Sequence, residues 1–145
     1  MKQIVKFLFV AFILFAFGSN LNAQCLDFVK TTGFEELNTE RYVPEGRFDA
    51  ITLSEGDYLK VYKSFFRGRT YKVVVIADKA ISIFNFKVKT MKGNIVYDSS
   101  KNNSAASWEY TSDRNQNLMI EIDLPASQTA NIGTGCVAVI LGHKI

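Results

Sequence analysis

The residues best suited to bind a ligand are two aromatic side chains, Trp108 and Tyr110. Because side chains two positions apart on a β-strand point to the same face, the two rings would lie side by side. A flat aromatic pair of this kind can hold a sugar ring through CH–π contact and stacking. The favoured alternative is that both rings fill the interior of a β-sandwich. Tyr58 and Tyr62 form a similar pair and face the same choice.

Acidic and amide side chains offer a second kind of chemistry. Asp113, Asn115 and Asn117 have the alternate spacing of the first half of a calcium-binding loop. Leucines stand where that loop needs its glycine and its final glutamate, so an EF-hand is excluded. A looser calcium site that also uses Asp98 stays open as an alternative to a plain polar hairpin loop.

The sequence gives no arrangement of side chains suited to catalysis. His143 is the one histidine and lies two residues from the C-terminus, whereas a nucleophilic site needs its base held on a rigid scaffold. Glu121 and Asp123 share one strand face, and Glu109 lies near the aromatic pair. A glycosidase, in contrast, holds its two carboxylates on either side of the scissile bond. One histidine and two cysteines also argue against a zinc site. We predict no enzymatic activity, no cofactor and no metal.

The N-terminus has the pattern of a cleaved secretory signal peptide. Two lysines precede an unbroken apolar run of eleven residues, and Leu21-Asn22-Ala23 follows as a signal peptidase site. The run is shorter than the roughly 20 residues that a membrane-spanning helix needs. We predict a leader over residues 1–23 and a mature chain that starts at Gln24, which is secreted or periplasmic and has no transmembrane segment.

Charge argues against a polyanionic partner. The formal net charge of +3 falls to +1 when the two leader lysines are removed, and binding of nucleic acid or an anionic membrane needs a clustered excess of basic residues. Lys87, Lys89 and Lys92 fall on one outer face of the predicted sheet. We interpret them as solvated lysines that discourage strand-to-strand aggregation, with a polyanion site as the alternative.

Cys25 and Cys136 are the two cysteines of the chain. In an exported protein an isolated pair most often forms a disulfide. Closing so long a loop would stabilise the fold by about 4–5 kcal/mol in the chain-entropy model. Two alternatives stay open, namely free thiols and lipid attachment to Cys25, although a lipoprotein signal wants a small residue where Gln24 stands.

The pattern of apolar residues predicts an all-β protein with about eight strands. Residues 69–77 are apolar on both faces beyond Lys72, which predicts a strand at the centre of a sheet with cover on both sides. Residues 25–46 are predicted to hold a short strand or docking segment and then a loop, and no segment has sustained helical periodicity. We predict one domain over residues 24–145, an antiparallel β-sandwich that is jelly-roll-like, with an eight-stranded barrel as the alternative. The predicted strands are residues 47–53, 58–66, 69–77, 81–91, 95–97, 108–110, 118–124 and 136–141.

Three stretches resemble, in order, the landmarks of bacterial prepeptidase C-terminal-like domains. They are Leu53-Ser54-Glu55-Gly56-Asp57, Gly68-Arg69-Thr70-Tyr71 and Gly93-Asn94-Ile95-Val96-Tyr97-Asp98, and the likeness covers roughly residues 47–142. Domains of this family are small secreted β-sandwiches, often appended to exported peptidases and associated with secretion or substrate binding. The resemblance implies a fold and a compartment, and it implies no catalytic residue.

Together these observations predict a non-catalytic binding or structural protein at the cell envelope. Its partner would be an envelope protein or a polysaccharide, and the sequence does not decide between them. The alternative is a carbohydrate-binding module or a small glycoside-active protein that uses Trp108 and Tyr110.

Overall fold

Alternating apolar and polar residues build most of the strands, because side chains along a strand point in turn to opposite faces. The computed structural model describes residues 21–38, 41–46, 48–81, 83–126 and 133–145. Residues 1–20 of the predicted leader lie outside these ranges, so the leader stays a prediction. The strands of the described residues are β1 (Tyr42–Pro44), β2 (Asp49–Ser54), β3 (Tyr58–Phe65), β4 (Thr70–Ala77), β5 (Asn85–Thr90), β6 (Ile95–Asp98), β7 (Ser107–Thr111), β8 (Gln116–Asp123) and β9 (Thr134–Lys144).

The strands form two antiparallel sheets in jelly-roll order. Sheet A has the order β2-β9-β4-β7, and the short β1 pairs with the far end of β9. Sheet B has the order β3-β8-β5-β6. From β2 onward, successive strands cross from one sheet to the other, except at the β5–β6 hairpin. The predicted jelly-roll-like sandwich is confirmed, with two separate sheets among the described strands in place of a closed barrel.

Strand β4 lies between β9 and β7, as its sequence predicts. Tyr71, Val73 and Val75 are buried in the core between the two sheets. Val74 belongs to a second apolar cluster on the opposite side of sheet A, with Ile76 packed against it. Because both faces of the strand are apolar, burying both is favourable, and the prediction of cover on both sides is confirmed.

The cover on sheet A is helical, where the sequence predicts a short strand or docking segment followed by a loop. It consists of α1 (Leu21–Phe28), a π-helical turn (Val29–Gly33) and α2 (Phe34–Asn38). Val29, Gly33 and Leu37 are buried at intervals of four, which places them on one side of the helical segment. A Cβ atom on Gly33 would overlap the Cδ1 atom of Ile140, so glycine permits the close approach of this segment to sheet A.

The disulfide between Cys25 and Cys136 joins the helical segment to β9, with a Cα–Cα distance of 5.3 Å. The pairing predicted from the sequence is therefore confirmed, as is docking of the N-terminal segment beside the strand that carries Cys136. Both cysteines are buried in the second apolar cluster. Over the described ranges, no helix is both long and apolar enough to cross a membrane.

Several strand boundaries differ from the predictions. β5 begins at Asn85 and not at residue 81. β9 continues to Lys144 because β1, which falls in a predicted loop, supplies a partner for its last residues. Gly93 lies in the hairpin turn between β5 and β6, and its φ of 87° explains the glycine. Part of the predicted loop before β9, residues 127–132, lies outside the described residues.

Candidate functional site

The candidate site is the outer face of sheet B, called here the open face. Its side chains come from alternate positions of β3, β8 and β5, because the intervening positions point into the core. In register, Lys60 lies opposite Glu121 on β8, and Glu121 lies opposite Lys87 on β5. The residues of the open face are Tyr58, Lys60, Tyr62, Asn85, Lys87, Lys89, Met119, Glu121 and Asp123.

Two tyrosines on edge strand β3 are the most exposed aromatic side chains of the open face. Tyr58 is 67% exposed and Tyr62 is 59% exposed. Lys60 lies between them, and its Nζ atom is 5.3 Å from the centroid of the Tyr58 ring, a cation–π contact. Exposed aromatic rings next to charged groups are typical of binding surfaces, because they supply contact area with little loss of side-chain entropy.

An ion-pair cluster occupies the centre of the open face. Lys89 Nζ donates to Glu121 Oε1 at 2.7 Å, and Lys60 Nζ lies 3.6 Å from Glu121 Oε2. The hydrogen bond from Lys89, together with the charges of Lys89 and Lys60, lowers the pKa of Glu121. A glycosidase needs a general acid whose pKa is raised, and Glu121 is shifted in the opposite direction.

A groove of about 360 Å³ runs across one end of the open face. Within the described residues, Lys87 and Asp123 form no hydrogen bond or ion pair with another side chain. Asp98 lies beside the groove, and the Ser100 hydroxyl, helped by the charges of Lys87 and Lys101, lowers its pKa. The residues that line the groove are Tyr58, Lys60, Asn85, Lys87, Ser100, Glu121 and Asp123.

Trp108 and Tyr110 point away from solvent, at the edge of the core between the sheets. They lie opposite Val73 and Tyr71 of β4, whose side chains face the core. The Trp108 ring stacks on Tyr110 at 4.8 Å and on Tyr97 at 5.4 Å between ring centroids. The favoured core-filling interpretation fits these positions, and a ligand-binding role for the pair stays a prediction.

The sequence contains the signal that separates the two aromatic pairs. Tyr58 and Tyr62 share their strand face with Lys60 and Ser64, which marks that face as the solvated one. The alternate positions around Trp108 are occupied by Ser, Glu and Thr, so in β7 the polar face is the opposite one. Comparing the two faces of each strand would have identified the tyrosine pair as the exposed pair.

The residues proposed for a calcium loop use their oxygens within the protein. Asn115 Oδ1 accepts a hydrogen bond from the backbone N–H of Arg67 at 2.8 Å. Asn117 Oδ1 accepts from the Ser64 hydroxyl at 2.8 Å. Asp113 is exposed and pairs with its neighbour Arg114 at 3.6 Å. Across the described ranges, no three His, Cys, Asp or Glu side chains lie together as a metal site would need.

His143 lies near the end of β9, at the edge of sheet A. Its Nδ1 atom is 3.3 Å from Glu45 Oε1, which also pairs with Arg69 at 3.1 Å. None of the three belongs to the residues of the open face. The interpretation of His143 as a strand-end residue is confirmed.

Comparison with known proteins relates the chain to a fold. No protein-family model matches the chain, and no curated protein matches it in sequence. Among solved structures the chain is similar to PliG of Aeromonas hydrophila, a periplasmic inhibitor of g-type lysozyme. The TM-score is 0.51 and the identity 10%, over 68% of this chain and 85% of PliG. The two chains therefore share a β-sandwich architecture.

Proposed function

We propose that the protein is a non-catalytic binding protein of the extracytoplasmic space and that its partner contacts the open face. The observation that carries the proposal is the exposure of Tyr58 and Tyr62 on a sheet face that also carries three lysines and two carboxylates. The corresponding face of sheet A is buried under the helical segment. A solvent-exposed face rich in aromatic and charged side chains is available for recognition without any rearrangement of the fold.

Two independent features support an extracytoplasmic location. The disulfide between Cys25 and Cys136 is typical of proteins that fold in an oxidising environment. The N-terminal sequence matches a secretory leader. Both features support export. The fold shared with a periplasmic protein further supports a location at the cell envelope.

The electrostatics of the open face support a function without catalysis. Glu121 is paired with two lysines and is held ionised by a lowered pKa. It is therefore a poor proton donor at neutral pH, and proton donation is what a glycosidase acid must perform. The carboxylates of the open face serve recognition better than reaction.

Sedimentation with isolated Gram-negative cell envelopes tests the proposal. We expect the oxidised protein to co-sediment and the double variant Tyr58→Ala/Tyr62→Ala to lose at least about tenfold in apparent affinity, because aromatic side chains dominate interface energetics. Val43→Ala is the matched control, since Val43 is 38% exposed but belongs to β1 of sheet A. Equal binding of all three proteins, or no binding by the parent, would contradict the proposal.

A protein inhibitor is a second candidate function, favoured by the fold likeness to PliG. It predicts that the protein slows cell-wall lysis by a g-type lysozyme in a turbidity assay and that the tyrosine double variant does so less well. Undiminished lysis at a large molar excess of the protein would remove this candidate and leave the first in place.

A further inference from the structure

We propose that the groove of the open face binds a neutral saccharide, with one sugar ring stacked on Tyr58. This inference rests on the proposed function and names the chemical class of the ligand. The proposed carbohydrate site lies on a different strand and a different sheet from Trp108 and Tyr110. Three properties of the groove carry it, namely the balance of charge, the unused hydrogen-bonding groups and the exposed ring.

The charges that line the groove cancel. Lys60 and Lys87 supply two positive groups, and Glu121 and Asp123 supply two negative ones. An anionic polymer would meet two carboxylates in the groove, and a cationic peptide would meet two ammonium groups. Charge complementarity therefore favours an uncharged ligand that can donate and accept hydrogen bonds. A sugar hydroxyl does both.

The unused polar groups form a row across three strands. Tyr58 on β3, Asp123 on β8 and Asn85 on β5 are in register, so neighbouring members of the row are separated by the strand spacing of about 4.8 Å. Asp123 accepts hydrogen bonds, and Asn85 both donates and accepts. Lys87, in the next row, adds a donor. These three groups can bind the hydroxyls along the edge of a ring that lies over Tyr58.

Among the described residues that line the groove, Tyr58 is the one aromatic side chain. The two aromatics first predicted to hold a sugar are engaged with each other in the core edge, whereas Tyr58 is 67% exposed. The groove volume of about 360 Å³ falls at the small end of the range for small-molecule sites. It therefore suits a short stretch of a polysaccharide chain.

Retention on insoluble polysaccharides tests the inference. The probes are the neutral polymers cellulose, chitin and curdlan, with calcium alginate beads as the anionic comparison. We expect retention on at least one neutral polymer and weaker retention on alginate. The affinity for the retained polymer should fall at least about tenfold in Tyr58→Ala and less than about threefold in Tyr58→Phe, which keeps the ring.

Polar variants separate hydrogen bonding from general surface effects. Asn85→Ala and Asp123→Ala should each weaken retention about three- to tenfold, because each removes hydrogen bonds to the ligand. Val43→Ala and Trp108→Phe are the controls and should retain the parent affinity. Thermal melting of each variant confirms that it is folded before retention is compared.

Three results would overturn the inference. The first is no retention on any neutral polymer. The second is retention that survives Tyr58→Ala but is lost in Trp108→Phe, which would return the sugar site to Trp108. The third is envelope binding that depends on Tyr58 and Tyr62 but is not competed by soluble fragments of the same polymers. That third result would preserve the proposed function and reject a saccharide as its ligand.

Discussion

The outer faces of the two sheets differ in what lies on them. On sheet A most outward residues of β4 and β9 are apolar, among them Val74 and Ile140, and the helical segment buries them. On sheet B most outward residues of β3, β5 and β8 are lysines, carboxylates and tyrosines, and the two tyrosines are largely exposed. The same sandwich therefore has one face that serves stability and one that is free to bind.

The difference originates in whether a strand is apolar on one face or on both. A strand that alternates apolar with polar residues needs cover on one side, whereas β4 is apolar on both sides and needs cover on two. Neither α1 nor α2 is long enough to be stable alone, and the helical segment gains its stability from sheet A and from the disulfide. The comparison predicts large energetic effects from changes on sheet A and small ones from changes on sheet B.

Loss of the disulfide should have the largest effect. The double variant Cys25→Ala/Cys136→Ala should lose about 4 kcal/mol of unfolding free energy, because it removes a crosslink between residues 111 positions apart. Urea denaturation of the variant, the parent and the parent reduced with dithiothreitol gives the measurement. The reduced parent should match the variant, and a loss below about 1 kcal/mol in both would contradict a structural role for the crosslink.

Equivalent truncations on the two faces should differ several-fold. Leu37→Ala should cost about 2–4 kcal/mol of unfolding free energy, because Leu37 is fully buried between the helical segment and sheet A. Tyr62→Ala should change stability by no more than about 0.5 kcal/mol, because the side chain is exposed. Chemical denaturation of both variants measures the difference. Similar costs for the two would mean that the open face is also structural.

The ion-pair cluster should give a smaller effect that depends on pH. The pKa of Glu121 is lowered in the folded protein, so its contribution is present above the unfolded value, near pH 4.3, and is lost as the pH falls through the folded value. Glu121→Gln should therefore cost less than about 1 kcal/mol at pH 7, and the difference from the parent should narrow near pH 3. A difference that is the same at both values would exclude the ion pairs as its cause.

The smallest expected effect is on the fluorescence of Trp108, which distinguishes the two aromatic pairs. Because Trp108 stacks on Tyr97 and Tyr110 at the core edge, its fluorescence should be blue-shifted and only partly quenched by acrylamide. A saccharide bound at Tyr58 should leave that emission unchanged. A red-shifted, fully quenched spectrum would contradict the position of Trp108 at the core edge, and a shift on adding the saccharide would place Trp108 at the ligand.

The sequence was most informative where a pattern recurs over many residues. The double apolar pattern of β4 predicted both its central position and its two covers. The identity of the outer cover was not predictable, because α1 and α2 are short and are separated by a π-helical turn, so neither shows helical periodicity by itself. β1 was missed for a similar reason, since three residues ending in Pro44 cannot show alternation.

The candidate site was predictable in part. The alternation of β8 placed Glu121 and Asp123 on one strand face, but the choice between the two aromatic pairs stayed open because it needed the polar neighbours of each. The pairing of Glu121 with lysines from both neighbouring strands depends on sheet order, which a single sequence does not contain. The resemblance to prepeptidase C-terminal-like domains stays a prediction.

The position of β9 determines when the protein can fold. It is the last strand in chain order, yet it lies inside sheet A, pairs with β1, β2 and β4, and carries Cys136. As the chain emerges from a ribosome, sheet A lacks a central member until β9 is out. Completion of sheet A must therefore wait for β9, and such long-range pairing makes it slow. Until β9 has been synthesised, neither the cover of β4 on both sides nor the disulfide can form.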